Sequence, residues 1–167
     1  MPSLNYSRKM PEVRLEPMSD QEYAEFRERS EVSYAAAIAA SRAMPLREAR
    51  HKAAEEHQQL LSEGLRTPGH YLWTAYEDDR PVGDLWLHVE AKSDGLHAFA
   101  YAFEVRPELR GRGYGRAITA AAEQKCREMQ VVSVGLTVFG PNKAAQHLYE
   151  NLGFEVTVLQ MRKRLSA

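Results

Sequence analysis

The sequence predicts a single α/β domain, a mixed central β-sheet flanked by helices on both faces. Three observations carry that prediction. Segments whose apolar residues recur every second position alternate with segments of helical period, the pattern of strands and helices layered on one another. A glycine-rich loop stands between a strand-like run, Phe99 to Val105, and a helix-like run, Ala117 to Met129. The chain of 167 residues, 44% hydrophobic and 27% charged, is large enough for one core and ordinary for a globular domain. The domain is read as residues 12–167. Residues 1–11 hold Pro2 and Pro11 but no periodic apolar face, which predicts a flexible tail.

Val13 and Leu15 alternate with Glu12, Arg14 and Glu16, a short first strand that Pro17 ends. Ser19 and Glu22 have the spacing of a capping box, and a helical face then runs through Tyr23, Phe26, Ser30 and Tyr34 to Ala43. Pro45 starts a second helix, Leu46 to Ser62, closed by Gly64, with charges that read as a solvated face. Tyr71 to Tyr76 and Val82 to Val89 are strands joined by a turn at residues 77–81. Leu85, Leu87 and Val89 share one face of the second, and Asp84, Trp86 and His88 the other. After a turn at residues 93–95, Ala98 to Val105 is the strand that feeds the loop. In the helix beyond the loop, Ile118, Ala122, Cys126 and Met129 face the sheet. Val132, Val134, Leu136 and Val138 alternate in a further strand. A helix begins at Gly140 to Asn142 and stops at Gly153, with Phe154 packing back on its last turn. Val156 to Arg164 is the last strand, its basic end an exposed edge.

A net charge of −1 gives no argument for nucleic acid or an anionic membrane as a partner. The longest apolar run, Tyr34 to Ala40, is too short to span a bilayer, and the first residues lack the pattern of a secretory signal. The single cysteine, Cys126, fits a buried residue in a reducing compartment, so the expected location is the cytoplasm. His and carboxylate residues show no metal-ligand spacing, so no metal is expected; a homodimer is left open.

The chemistry concentrates in two places. In the loop, Gly111, Gly113 and Gly115 interleave with Arg110, Arg112, Tyr114 and Arg116. Glycines permit the unusual φ angles that turn successive N–H groups toward one point, and the helix start adds its own unpaired donors and positive dipole end. Such a strand–loop–helix corner suits a pyrophosphate. A P-loop needs a lysine that is missing, the dinucleotide fingerprint has a different glycine spacing, and a single Arg-Gly copy is unlike a disordered RNA-binding segment; a plain turn is the remaining alternative. The second place is the helix after residue 141. Asn142, Ala145 and Tyr149 share one of its faces, while Leu148 and Leu152 form the adjacent core stripe. A polar anchor, a small residue and a hydroxyl in line suit a slender ligand, with a helix N-cap as the alternative role for Asn142.

Arg110-x-x-Gly113-x-Gly115, preceded by Val105-x-Pro-Glu-x-Arg110, resembles the acetyl-CoA loop of the GNAT superfamily of N-acetyltransferases. Asn142-x-x-Ala145-x-x-Leu148-Tyr149-x-x-x-Gly153-Phe154 resembles the same family's last large helix. Together they span roughly residues 80 to 160. The resemblance implies direct transfer of acetyl from acetyl-CoA to an amine. It places the pyrophosphate on Arg110 to Arg116, the pantetheine arm at Asn142 and Ala145, and Tyr149 near the sulfur as general acid. Splayed backbone groups at Phe103 to Val105 are suited to polarise the thioester carbonyl. A neutral amine is needed for attack, so a base or water chain takes its proton. Glu104 is the first candidate, although it alternates with Phe103 and Val105 as an outward-facing charge would. His88, His97, Tyr34 and ordered water are the others, because Ala100 and Ala102 stand where the family often carries a carboxylate. A non-catalytic acyl-CoA binding or sensing module is the rival reading.

Overall fold

In a computed structural model that describes residues 10–42, 44–163 and 165, five strands form one sheet in the order β1-β2-β3-β4-β5. They are β1 (Arg14–Pro17), β2 (His70–Glu77), β3 (Arg80–Lys92), β4 (Gly95–Val105) and β5 (Val131–Leu136). The first four pair antiparallel and β5 pairs parallel to β4, which makes the expected mixed sheet. Residues 1–9 and Ala43, within the expected tail and helix end, lie outside the described residues.

The helices are α1 (Asp20–Arg42), α2 (Leu46–Leu60), α3 (Tyr114–Glu128) and α4 (Lys143–Asn151). The capping box forms as read: Glu22 accepts from the Ser19 amide at 2.8 Å, and the Glu22 amide donates to Ser19 Oγ at 3.3 Å. The alternation of β3 separates two cores. Leu85 and Leu87 meet Ile118 and Cys126 of α3 on one face, while Trp86 meets Phe26 of α1 and Leu61 on the other. Burial of apolar surface on both sides is the main stabilising term, and it explains why the sheet is covered twice.

The register between β4 and β5 positions the site. Pairing runs from Leu96 with Val131 to Ala100 with Leu136 and stops there, whereas β4 continues to Val105. Its last five residues therefore keep β3 on one side and have a gap on the other. A ladder slip between Leu96 and His97 breaks the alternation expected for β5. Val131 and Val134 pack on the core, while Val132 is exposed.

One expected element is absent. Residues 154–163 form no strand, and Val156, Val158, Leu159 and Met161 are all exposed. The pattern of a strand is present, but among the described residues no strand pairs with it; Arg164 lies outside the described residues.

Candidate active site

The loop begins on a buried anchor. Asp84, 1% exposed on β3, accepts from both terminal nitrogens of Arg106 (2.9 and 3.2 Å) and from Arg29 of α1 at 3.1 Å. Leu109, also buried, ends a short turn of 3₁₀ helix at Pro107–Leu109. Gly111 and Gly113 then take φ values of +71° and +92°, left-handed conformations that only glycine adopts without strain. Between them they turn the chain into α3, whose first internal bond runs from the Ala117 amide to the Gly113 carbonyl. Among the described residues, no carbonyl or side chain accepts from the amides of Gly111, Arg112, Gly113, Tyr114, Gly115 or Arg116. Six successive free donors at a helix start, with exposed Arg112 and Arg116 among them, have the form that an anion site requires. The residues present thus fit a pyrophosphate.

Three loop residues have further tasks. The Tyr114 side chain leaves the loop for the core, where its hydroxyl donates to Glu77, so only its amide is offered to a ligand. A Cβ on Gly115 would lie 3.0 Å from Leu148 Cδ2; the glycine lets α4 close on α3. Arg110 folds back, its Nε donating to the Val105 carbonyl at 3.2 Å and its terminal nitrogen 3.5 Å from Glu104.

Beside the gap lies α4. Asn142 is its N-cap, Oδ1 accepting from the Ala145 amide at 3.1 Å, which leaves the Asn142 side-chain amide free to donate. Seven residues on, the Tyr149 ring packs edge-on between Phe103 of β4 and Phe154, with centroids 5.8 and 5.2 Å away. The Phe154 amide donates back to the Tyr149 carbonyl at 3.0 Å, with Gly153 at φ +88° making the turn as the sequence suggests. Burial alone pushes the Tyr149 hydroxyl far above its ordinary pKa, so it is held protonated.

The opposite face of β4 belongs to α1 and α2. Glu104 sits there, its carboxylate accepting from Ser33 Oγ at 3.2 Å. Nearby a cavity of about 500 Å³ opens between α1, α2, the middle of β4 and the chain beyond β5. Its walls include Tyr34, Trp86, Tyr101 and Phe139, with Glu31, Glu56 and Arg42 among the polar groups. Tyr34 donates to Glu56 at 2.6 Å, and burial foremost raises its pKa to about 12. His57, 5% exposed, stacks on Trp86 at 5.2 Å with Nδ1 3.6 Å from Glu31, and burial lowers its pKa. Arg47, Glu48, Arg50 and Glu55 of α2 are exposed, as a solvated face requires, while Ala49, Ala53 and His57 form an inner stripe. His97, by contrast, is held by Asp94 and Ser133 at the start of β4, the far end of the strand from Glu104. His88 stacks on His70 with ring centroids 4.3 Å apart.

The family model described as Acetyltransferase (GNAT) family matches residues 35–154. The chain belongs to that family. It is 39% identical over 107 residues to the uncharacterised N-acetyltransferase YycN of Bacillus subtilis, 64% of this chain and 69% of that protein. It is also 28% identical over 152 residues to YdgE of the same organism, likewise described as an N-acetyltransferase, 90% of this chain and 97% of that protein. The crystal structure of YycN superposes with a TM-score of 0.88 and 32% identity, over 93% of this chain and 99% of that one.

In this acetyltransferase the two motifs lie side by side: Gly115 stands beside Leu148 of α4, and the Tyr149 ring packs on Phe103 of β4, while Glu104 faces Ser33 of α1. What sequence reasoning missed is long-range. Asp84 reads as an outward charge until two helices cover its face, and its place between Gly83 and Leu85 in an apolar strand was the available signal. His57, Glu31 and Glu56 come together from two helices, and no local spacing announces them.

Proposed function

We propose that this acetyltransferase moves the acetyl group of acetyl-CoA directly to a primary amine of a small molecule or peptide, and that it does so in the cytoplasm. The run of unpaired amides from Gly111 to Arg116 is the observation that supports this most directly. Acetyl-CoA supplies the acetyl group as an activated thioester. The loop amides, with Arg112 and Arg116, bind its pyrophosphate. The free Asn142 amide and the small Ala145 receive the pantetheine arm along α4. Backbone amides of β4 at Phe103 and Val105, beyond the end of the β5 ladder, donate to the thioester carbonyl. Tyr149, kept protonated by burial, delivers its proton to the departing sulfur. Glu104 takes the proton of the attacking amine, directly or through water, and the cavity between α1 and α2 holds the acceptor's body.

Calorimetry with acetyl-CoA, followed by a panel of amines assayed for thiol release, tests the proposal. Wild type binds and releases thiol only with amine present. Gly113→Val stays folded and loses binding, because a β-branched residue opposes φ +92° and its Cβ meets Pro11 at 3.3 Å. Normal coenzyme affinity in folded Gly113→Val removes the cradle. Binding without turnover of any amine leaves a sensing module instead.

A further inference from the structure

The cavity between α1, α2 and β4 has a charge balance and a lining that narrow what it can hold. Glu31 and Glu56 are its carboxylates, and both are already matched. Arg27 donates to Glu31 at 2.8 Å. Lys52 pairs with one oxygen of Glu56 at 2.9 Å, and Tyr34 donates to the other at 2.6 Å. Arg42 also stands in the wall, and burial keeps His57 neutral. Ser30, Gln59 and Thr137 extend the polar lining without charge. Two carboxylates are thus set against three cations, Arg27, Lys52 and Arg42. The cavity has no surplus of negative charge with which to draw in a polycation.

Its walls are aromatic instead, and the rings come from separate parts of the chain. Tyr34 of α1 and Phe139, beyond β5, have ring centroids 6.1 Å apart. Trp86 of β3 stacks on Tyr101 of β4 at 4.9 Å, and Phe99 meets Tyr101 edge-on at 5.0 Å. The ladder explains where Tyr101 stands. Trp86 pairs with Ala102 and Leu87 with Ala100, so Tyr101 is an extra residue with no partner across, a bulge of the kind that re-aims a side chain. The ring stays 40% exposed against its stacked neighbours, flanked in the chain only by alanines. An open aromatic face in a concave wall gains most from another flat apolar group. We propose that the acceptor is a small primary amine with a single positive charge and a flat apolar ring system, which packs on the open ring of Tyr101. The inference rests on the proposed transfer to an amine and names the class of that amine. A volume of about 500 Å³ admits a ring or a fused pair on a short chain. A linear polyamine or an amino sugar would leave charges and hydroxyls without partners against the aromatic wall.

Calorimetry in saturating coenzyme A, which carries no acetyl group, reads acceptor binding without turnover. The probes are tryptamine, spermidine and n-propylamine. Tryptamine should bind at least about tenfold tighter than n-propylamine, from the area that its ring buries, and spermidine no tighter than n-propylamine. Tyr101→Ala should remove most of the advantage of tryptamine, and Tyr101→Phe, which keeps the ring, should restore it. Coenzyme affinity and circular dichroism should hold in both variants, because the Tyr101 ring is exposed. Tryptamine binding no tighter than n-propylamine, or weaker than spermidine, overturns the inference. So does an undiminished advantage in folded Tyr101→Ala. Thiol release from acetyl-CoA separates the inference from the reading beneath it. Tryptamine that binds as expected but is never acetylated removes the transfer and leaves the ligand class of the cavity standing. Release with spermidine or n-propylamine in preference to tryptamine keeps the transfer and removes the inference.

Discussion

Tyr149→Phe separates chemistry from packing, because it removes one oxygen and keeps the ring. The ring sits between Phe103 and Phe154, and both edge contacts survive the change. Among the described residues no side chain hydrogen-bonds the hydroxyl, so its loss leaves no protein group stranded. Stability should change by less than about 0.5 kcal/mol, a melting shift of about 2 °C or less in a chain of this size. Loss of a general acid typically costs ~10²–10⁴ in rate. The low end is expected, since a thiolate leaves tolerably well without a proton; a hundredfold loss is about 2.7 kcal/mol of barrier. The assay is thiol release at saturating amine, with acetyl-CoA affinity measured separately by calorimetry. The signature is a lower kcat with unchanged coenzyme affinity. Because burial raises the hydroxyl pKa, the tyrosine stays protonated across the neutral range, and the loss should be equal at every neutral pH. Full kcat in Tyr149→Phe would refute the general-acid role.

Three further outcomes are expected. Asp84→Ala leaves Arg106 and Arg29 facing each other around a buried gap. It should cost about 3 kcal/mol, the lower end for a broken buried pair because both arginines keep some solvent, and thermal denaturation should show a fall of about 6–12 °C. Asn142→Asp keeps an equally good N-cap, so stability should hold, while loss of the amide donor raises the acetyl-CoA KM about fivefold, the worth of one hydrogen bond of about 1 kcal/mol. Unaltered kinetics would restrict Asn142 to capping. Glu22 is held down to about 2 from 4.5 by hydrogen bonds from Ser19 and then Tyr76. A depressed folded-state pKa stabilises above pH 4.5 and ceases to as pH falls toward 2, so Glu22→Gln should flatten the acid limb of stability in that window. An unchanged acid limb in that variant would discard the linkage.

What was legible in the sequence was what neighbours in the chain determine. Ser19 and Glu22 form their box because three residues of helix bring them together. The faces of β3 follow from a period of two, and Gly113, Asn142 and Gly153 mark helix ends by local backbone chemistry. What was not legible depends on elements distant in the chain. Val132 turns outward because β5 slips against β4, which no alternation within residues 131–136 records. Asp84 and His57 look solvent-facing until α1 lies over the sheet. The segment after Phe154 carries a strand pattern, but a pattern states a preference for a partner, and among the described residues no strand pairs with it.

The placement of Asp84 bears on how the loop works. Anion binding by backbone amides is strong only if the amides are already oriented, since reorganising a flexible glycine loop would consume the gain. Three glycines in five residues make this loop locally soft. Its rigidity must come from its ends. At one end Arg106 is clamped by a carboxylate that is itself buried and also held by Arg29, and Leu109 is sunk in the core. At the other, the Tyr114 side chain is fixed to Glu77, and Gly115 leaves the room that Leu148 of α4 occupies. The donors from Gly111 to Arg116 therefore span two fixed posts, one belonging to β3 and the other to the α3–α4 contact. That second post also lies between the loop and Tyr149, so one packing contact bears on both ends of the proposed site.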